Sequence, residues 1–417
     1  MRNHVLLLFI PIATFALGLV QPNDAYASGK MYWTDGDGET IRRADLDGSN
    51  IEDLPTAGVE DPAGIALDLT DEKIYFTATI DQFDRRGIRR ANLDGSNVED
   101  LDSDLSHANP GDIALDLTNS PHQMYWTVTW EINNDYPGIY RGNLDGSDIS
   151  IHLGRLADTL GIALDGSAGK MYWTEFDGNL MYIMRADLAG SNVEGVISFD
   201  TYTGAYAIAL DPTNGKIYWP LGANPQYGTP RIQRANLDGS NVEDLIDLES
   251  YVSFGIALDV SGGKMYWTDG WKIRRANLDG SDPEDLVVGD PQGGLLGKIA
   301  LDLRSDLDGD GVYDSVDNCS EVANGPNEAP NNQCDTDSDG YGNACDADYN
   351  GNNYVDGLDY AIFGQNWGKP VPPGNPDVDM NCNGYIDGID YGLFGPQWGK
   401  QPGPACGNPR GTPCPAE

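Results

Sequence analysis

Cysteine is missing from the first 318 of the 417 residues. No disulfide can organise that stretch, so its fold must come from strand pairing and an apolar core. Histidine is almost missing too: His4, His107, His122 and His152 are the only four, and they have no metal-ligand spacing. A nucleophile elbow, a phosphate-binding glycine loop and a paired-carboxylate motif are all absent. Cationic residues are scarce, with 25 Lys and Arg against 66 Asp and Glu and a formal charge of −41. That balance argues against nucleic acid or an anionic membrane as partner. Past Val20 no apolar run is long enough to span a bilayer.

A phrase repeated six times dominates what is present. KMYWTD at 30–35 returns as KIYFTA at 73–78, QMYWTV at 123–128, KMYWTE at 170–175, KIYWPL at 216–221 and KMYWTD at 264–269. The tyrosines Tyr32, Tyr75, Tyr125, Tyr172, Tyr218 and Tyr266 stand 43 to 50 residues apart. That is the period of one small four-stranded sheet with its turns, so the expected fold is mainly β, a six-bladed β-propeller. Two other phrases keep step: NLDGS-like turns at 45–49, 92–96, 143–147, 187–191, 236–240 and 277–281, and IALD strands at 65–68, 113–116, 162–165, 208–211, 256–259 and 299–302. Tyr32 has no IALD before it, and the last IALD has no tyrosine phrase after it. The expectation is a ring closed by its C-terminal strand, which removes exposed sheet edges. Asp-Gly in five of the turns, and Ala189-Gly190 in the fourth copy, supply the positive φ that a tight hairpin needs. Arg43, Arg90, Arg141, Arg185, Arg234 and Arg275 each precede a turn. They are read as blade-to-blade contacts, with the turn aspartates as expected partners.

The YWTD phrase, the IxRANLDGSN segment and the IALD strand resemble low-density-lipoprotein-receptor class B repeats over residues 30–303. The resemblance implies an extracellular protein- or ligand-binding propeller without enzymatic activity. The acidic fourth position survives only as Asp35, Glu175 and Asp269. In that family the binding face lies just after the YWTD strand and just before IALD. Here those segments carry Phe83, Trp130, Tyr136, Phe176, Tyr206, Tyr227, Phe254 and Trp271. Aromatic residues in rigid loops suit protein hot spots or sugar stacking, and equally well plug a channel or pack on a neighbouring blade. Some six-bladed propellers are metal-dependent hydrolases. Asp112 and Asp158, near inner-strand starts, would serve that chemistry or simple hydrogen bonding at the channel mouth.

Residues 1–27 read as a secretory signal, with a retained membrane anchor as the alternative: Arg2 and His4, an apolar run from Val5 to Val20, then Ala25-Tyr26-Ala27. All six cysteines, Cys319, Cys334, Cys345, Cys382, Cys406 and Cys414, lie in the exported tail, where disulfides are expected, with bridges favoured among the first three. From residue 305 onward there are 19 acidic and 3 basic residues. Twelve-residue calcium loops take ligands at positions 1, 3, 5, 7, 9 and 12, with the seventh through its backbone. Four windows fit: Asp306, Asp308, Asp310, Val312, Asp314 and Asp317; Asp335, Asp337, Asp339, Tyr341, Asn343 and Asp346; Asp348, Asn350, Asn352, Tyr354, Asp356 and Asp359; and Asp379, Asn381, Asn383, Tyr385, Asp387 and Asp390. The expected cofactor is structural calcium.

The first two windows, over 305–347, resemble thrombospondin type 3 repeats. The last two, over 348–400, form a duplicated unit, GLDYAIFGQNWGK and GIDYGLFGPQWGK, that resembles a dockerin module. Aspartate at position 12 agrees with that family. Its cohesin-recognising pair, often hydroxylic, is here Gly357-Leu358 and Gly388-Ile389, a departure. Residues 305–400 are expected to lack a core of their own, and 401–417 form a Pro/Gly/Cys-rich end. The combination implies a bacterial source and a secreted or envelope location. Three roles follow: a non-enzymatic adhesion or adaptor protein whose propeller recognises a protein or glycan, a dockerin-recruited accessory of extracellular polysaccharide degradation, with or without hydrolase activity of its own, or a structural component of an envelope or matrix.

Overall fold

A computed structural model describes residues 29–36, 38–56, 58–79, 86–101, 110–129, 137–199, 204–222, 229–250, 252–289, 294–304, 313, 319, 343–350 and 354–400. The six tyrosine phrases are the second strands of six four-stranded antiparallel sheets, so the β-propeller of six blades is the fold. The innermost strands carry the IALD phrase: Ile65–Asp68, Pro110–Asp116, Asp158–Asp165, Ala209–Asp211 and Ile256–Asp259 in blades two to six. In the first blade Leu296–Asp302 pairs with Lys30–Asp35, Trp33 opposite Ile299 and Tyr32 opposite Ala300.

Why the phrase is YW follows from strand geometry. Adjacent side chains point to opposite faces of a strand, and both faces of a blade are buried. Tyr32 packs in one cluster with Phe76 of the next blade, Tyr75 with Trp126, Tyr125 with Trp173, Tyr172 with Trp219, Tyr218 with Trp267, and Tyr266 with Trp33. The dipeptide thus fills two seams at once, and the sixth blade meets the first on the same terms.

The threonine of the phrase is a stitch. Thr34, Thr77, Thr127, Thr174 and Thr268 are fully buried. Thr77 Oγ1 accepts from Gly64 N of its own blade at 2.8 Å and donates to Gly111 O of the next at 2.7 Å. Thr34 donates to Ala63 O, Thr127 to Leu160 O and Thr268 to Gly297 O in the same manner. The fifth copy has Pro220 in place of threonine and cannot make this bond.

The arginines make a second ring of stitches, but the expected partner is corrected. Arg43, Arg90, Arg185, Arg234 and Arg275 donate to the backbone carbonyls of Leu93, Leu144, Leu237, Leu278 and Leu46 in the next blade's turn. Their carboxylate partners are Glu52, Glu99, Glu194, Glu243 and Glu284 on their own outer strands. The turn aspartates are engaged elsewhere, since Asp47, Asp94, Asp145, Asp238 and Asp279 accept from the serine N–H two residues on. The turn glycine is required twice over: Gly48 has φ +86°, and a Cβ there would stand 2.4 Å from Leu286 O of the preceding blade.

The tail carries two helices, Gly357–Asn366 and Gly388–Phe394. Each begins with a capping box, Asp356 with Asp359 and Asp387 with Asp390. The expectation of no core is overturned here. Ala347, Val355, Phe363, Val378, Met380, Ile386 and Phe394 form a buried cluster, built largely from equivalent positions of the duplicated unit. The two halves also exchange backbone bonds: Val355 N to Lys400 O at 2.8 Å, and Ile386 N to Lys369 O at 3.0 Å. Cys319 and Cys345 form a disulfide, and Cys382 is disulfide-bonded too.

Candidate functional site

The end of the propeller where the YWTD strands finish and the IALD strands begin holds a cavity of about 400 Å³ at the mouth of the channel. Gly36, Pro62, Ala63, Gly111, Leu160 and Leu295 line much of it, and the rings of Tyr206 and Phe254 lie against each other in its wall, 5.4 Å apart. The residue just before IALD explains its floor. That position is Gly64, Gly161, Ala207 and Gly255 in four copies, because inner strands crowd there; a Cβ on Gly64 would sit 2.5 Å from Gly111 O. In the other two copies it is Asp112 and Lys298, opposite charges on blades three and one. They meet across the channel: Lys298 Nζ donates to Asp112 Oδ2 at 2.8 Å and to Tyr206 O, in blade five's inner segment, at 2.6 Å. Asp112 Oδ2 also accepts from Ile162 N of blade four at 3.2 Å. The pair is well buried, with side chains 14 % and 10 % exposed. A second pair, Arg86 with Asp61, stands at the rim.

Of the sequence-predicted ligand residues, Tyr206 and Phe254 line this cavity. Phe176 is half-buried against the seam of blades four and five, and Trp271 is half-buried at a hairpin on the same end of the propeller. Phe83, Trp130, Tyr136 and Tyr227 lie outside the described residues. Asp112 is committed to Lys298 and backbone N–H groups, while burial pushes the Asp158 carboxyl up from its usual value. Lys298 escaped sequence reasoning; its signal was a charge at a repeat position that is otherwise small.

In the tail, Asp306, Asp308, Asp310, Val312, Asp314, Asp317, Asp335, Asp337, Asp339, Tyr341 and Asn352 lie outside the described residues. The fourth loop is described throughout. Asp390 is fully buried; Oδ1 accepts from Asn381 N at 3.2 Å and Oδ2 from Asp387 N at 2.7 Å. Asp359 is held in the same way by Asn350 N and Asp356 N. Asp379 takes Asn383 N and Gly384 N, and Asn383 Oδ1 takes Tyr385 N. Burial raises the carboxyls of Asp379 and Asp390; the Asp387 charge raises both further, and the Asp379 charge raises that of Asp390. No described Lys or Arg forms an ion pair with Asp359, Asp379, Asp387 or Asp390. Buried carboxylates gathered without a cation, among amide and main-chain oxygens, are the donor chemistry that suits calcium. Among the described residues no three His, Cys, Asp or Glu side chains converge to hold a metal by themselves, and asparagines supply other side-chain oxygens in the third and fourth loops. Asn343 instead donates to Pro376 O and Asp379 O, which ties the end of the second window to the fourth loop. Asp346 accepts from Asp348 N, and Tyr354 is exposed.

Channel, stitches and seams together define a six-bladed propeller built on six YWTD-like phrases, with a cavity at the mouth of its channel. Residues 29–69 match the family model for the low-density lipoprotein receptor repeat class B. The human low-density lipoprotein receptor-related protein 5-like protein is 31 % identical over 146 residues, 35 % of this chain and 54 % of that protein. Low-density lipoprotein receptor-related protein 1 of Pyricularia oryzae (strain 70-15) is 29 % identical over 195 residues, 40 % of this chain and 63 % of its own length. The vitellogenin receptor Yl of Drosophila melanogaster is 31 % identical over 200 residues, 47 % of this chain and 9 % of its own. The chain therefore spans less than two thirds of each of these relatives. Among solved structures, a chain of a nidogen/laminin complex superposes with TM-score 0.54 at 18 % identity, covering 66 % of this chain and 98 % of that one. TolB from Acinetobacter baumannii gives 0.52 at 14 % identity, covering 67 % of each chain. These two likenesses show the fold alone. No described helix is long and apolar enough to cross a membrane.

Proposed function

We propose that this chain is a secreted, calcium-stabilised binding protein whose propeller recognises an extracellular protein or glycan at the channel mouth, while the tail docks it. The single observation that carries the reading is the cavity over the Asp112–Lys298 pair, with Tyr206 and Phe254 in its wall. It lies on the face where the class B resemblance puts ligands. The ammonium of Lys298 already fills the centre of the channel mouth, which favours binding over metal-dependent hydrolysis there. We read the pairing of Leu296–Asp302 with Lys30–Asp35 as closure of the ring. Calcium would be held by Asp348, Asn350, Asn352, the Tyr354 carbonyl, Asp356 and Asp359, and by Asp379, Asn381, Asn383, the Tyr385 carbonyl, Asp387 and Asp390. It would supply the positive charge that these loops lack. The two earlier, thrombospondin-like windows would bind it in the same style.

A second reading makes the chain an accessory of extracellular polysaccharide degradation, recruited through a cohesin-like partner. What favours it is the pair Leu358 and Ile389, 64 % and 59 % exposed at equivalent first turns of the two helices. The test is capture by the full chain from extracellular and envelope extract, in calcium and in EGTA, comparing wild type with Phe254→Ala and with Leu358→Asp/Ile389→Asp. Loss of a partner on Phe254→Ala supports the propeller face. Loss confined to the helix double variant, with polysaccharide-degrading enzymes as the lost partner, supports recruitment. Retention of every partner by all variants overturns both.

A further inference from the structure

We propose that the channel-mouth cavity takes the neutral terminal sugar of a glycan, its adjacent hydroxyls bridging Asp112 and Lys298. This rests on the reading that this face is a binding face, and names the ligand chemistry. The volume, about 400 Å³, falls in the range of small-molecule sites, roughly 300–1,000 Å³. The floor selects by charge. Lys298 and Asp112 are one cation and one anion in contact, both well buried. An anionic ligand that took Lys298 would leave Asp112 buried and unpaired, and a cationic ligand that took Asp112 would strand Lys298. A purely apolar ligand would cover the pair and satisfy neither group. A neutral ligand with a donor and an acceptor side by side adds hydrogen bonds to both and breaks nothing. Two neighbouring hydroxyls of a pyranose meet that demand, each able to donate and accept. The wall answers to the rest of such a ring: Tyr206 and Phe254 offer aromatic surface, and Leu160 and Leu295 exclude water. The field of a chain with formal charge −41 further disfavours acidic sugars.

The position is specific to this arrangement. Lys298 and Asp112 stand 186 residues apart, at a site where the other four copies carry only Gly or Ala. Repetition alone would have left the floor without either charge.

The test uses the full chain, titrated with the methyl pyranosides of glucose, galactose and mannose and with methyl glucuronide, read by saturation-transfer NMR and calorimetry. At least one neutral pyranoside is expected to saturate, with the glucuronide at least about tenfold weaker. Phe254→Ala should weaken the neutral sugar about tenfold, the order of one aromatic contact, with an unchanged melting curve. Lys298→Met should abolish binding; because Lys298 ties three blades together, a melting curve accompanies it and Phe254→Ala is the decisive variant. If no pyranoside saturates, if the glucuronide binds as well, or if Phe254→Ala and Tyr206→Ala bind undiminished, the assignment falls. Capture of a protein that Phe254→Ala loses and no pyranoside displaces would overturn the sugar while leaving the binding face intact. Failure of both experiments would overturn both.

Discussion

The propeller and the tail are held together by opposite means. In the propeller most seams repeat one recipe: a Tyr against the next blade's Trp or Phe, a threonine shared between two blades, an arginine reaching the next turn. Cations and anions are matched locally, as in Arg275 with Glu284. In the tail, seven buried apolar residues sit beside Asp359, Asp379, Asp387 and Asp390, for which no described Lys or Arg forms an ion pair. One region matches its charges side chain to side chain; the other would need the proposed calcium to do so. Near-equal sequence regularity therefore accompanies two different local electrostatic arrangements.

The sharpest way to break the propeller side is Thr77→Val. It orphans Gly64 N and Gly111 O, both in crowded inner segments. At about 1–3 kcal/mol for each buried group left unsatisfied, the loss should approach about 4 kcal/mol, read by urea unfolding. Pro220→Thr, placed where the stitch is naturally missing, should cost far less or stabilise. An equal cost at both positions would show that the hydroxyl is not what joins the blades.

Withdrawing calcium should act on the other side only. With the ion at a hundred times its dissociation constant, chelation should remove about 2.7 kcal/mol from the tail. The tail's calorimetric transition should drop while the propeller's stays. A tail transition unmoved by EGTA would remove calcium from its loops.

Arg275→Ala should follow at about 1–3 kcal/mol, since it deletes a bond to Leu46 O across the seam of blades six and one and the contact over Tyr266. Glu284→Ala, its half-exposed partner, should cost under about 1 kcal/mol. Equal effects would mean that the ion pair, not the cross-blade bond, carries the seam.

The smallest effect concerns the seam of the third and fourth blades, whose arginine lacks the glutamate partner found elsewhere. In the third blade Ser150 faces Arg141 where the other blades have glutamate, and the His152 ring donates to the Leu188 carbonyl of the fourth blade. Tyr125 and Gly190 close around that ring, and its Nε2 is buried without a partner. Burial, then the Arg141 charge, holds the imidazole below its usual value of 6.5. The unfolded chain thus takes up the proton first, so stability is complete above about pH 6.5 and falls as the pH drops beneath it. His152→Gln should flatten that slope between pH 6.5 and 5 in urea melts. A slope left unchanged would assign it to other groups.

Much of this was legible in the residues. The tyrosine phrases begin at the strand starts Lys30, Lys73, Gln123, Lys170, Lys216 and Lys264, because a period repeated six times leaves little freedom of register. The tail helices follow their loops for a like reason. What stayed hidden depends on neighbours far away in sequence. The arginines' partner was misassigned because the turn aspartate satisfies its own turn, which only the folded hairpin reveals. Lys298 and Asp112 were unconnected until the ring brought them face to face. The tail's core escaped because Val355, Ile386, Phe363 and Phe394 are sparse among acids, and only the crossing of the two halves gathers them.

The first blade takes its innermost strand from Leu296–Asp302 and its second from Lys30–Asp35. During synthesis the opening strand must therefore wait for the rest of the propeller to be made before its sheet is complete. Until then Trp33 has neither its inner strand nor the sixth blade's Tyr266 beside it. Such late, long-range contacts slow folding and leave strand edges bare in the interim. A chain cut short before Leu296 would lack the innermost strand of its first blade, leaving that edge of Lys30–Asp35 unpaired.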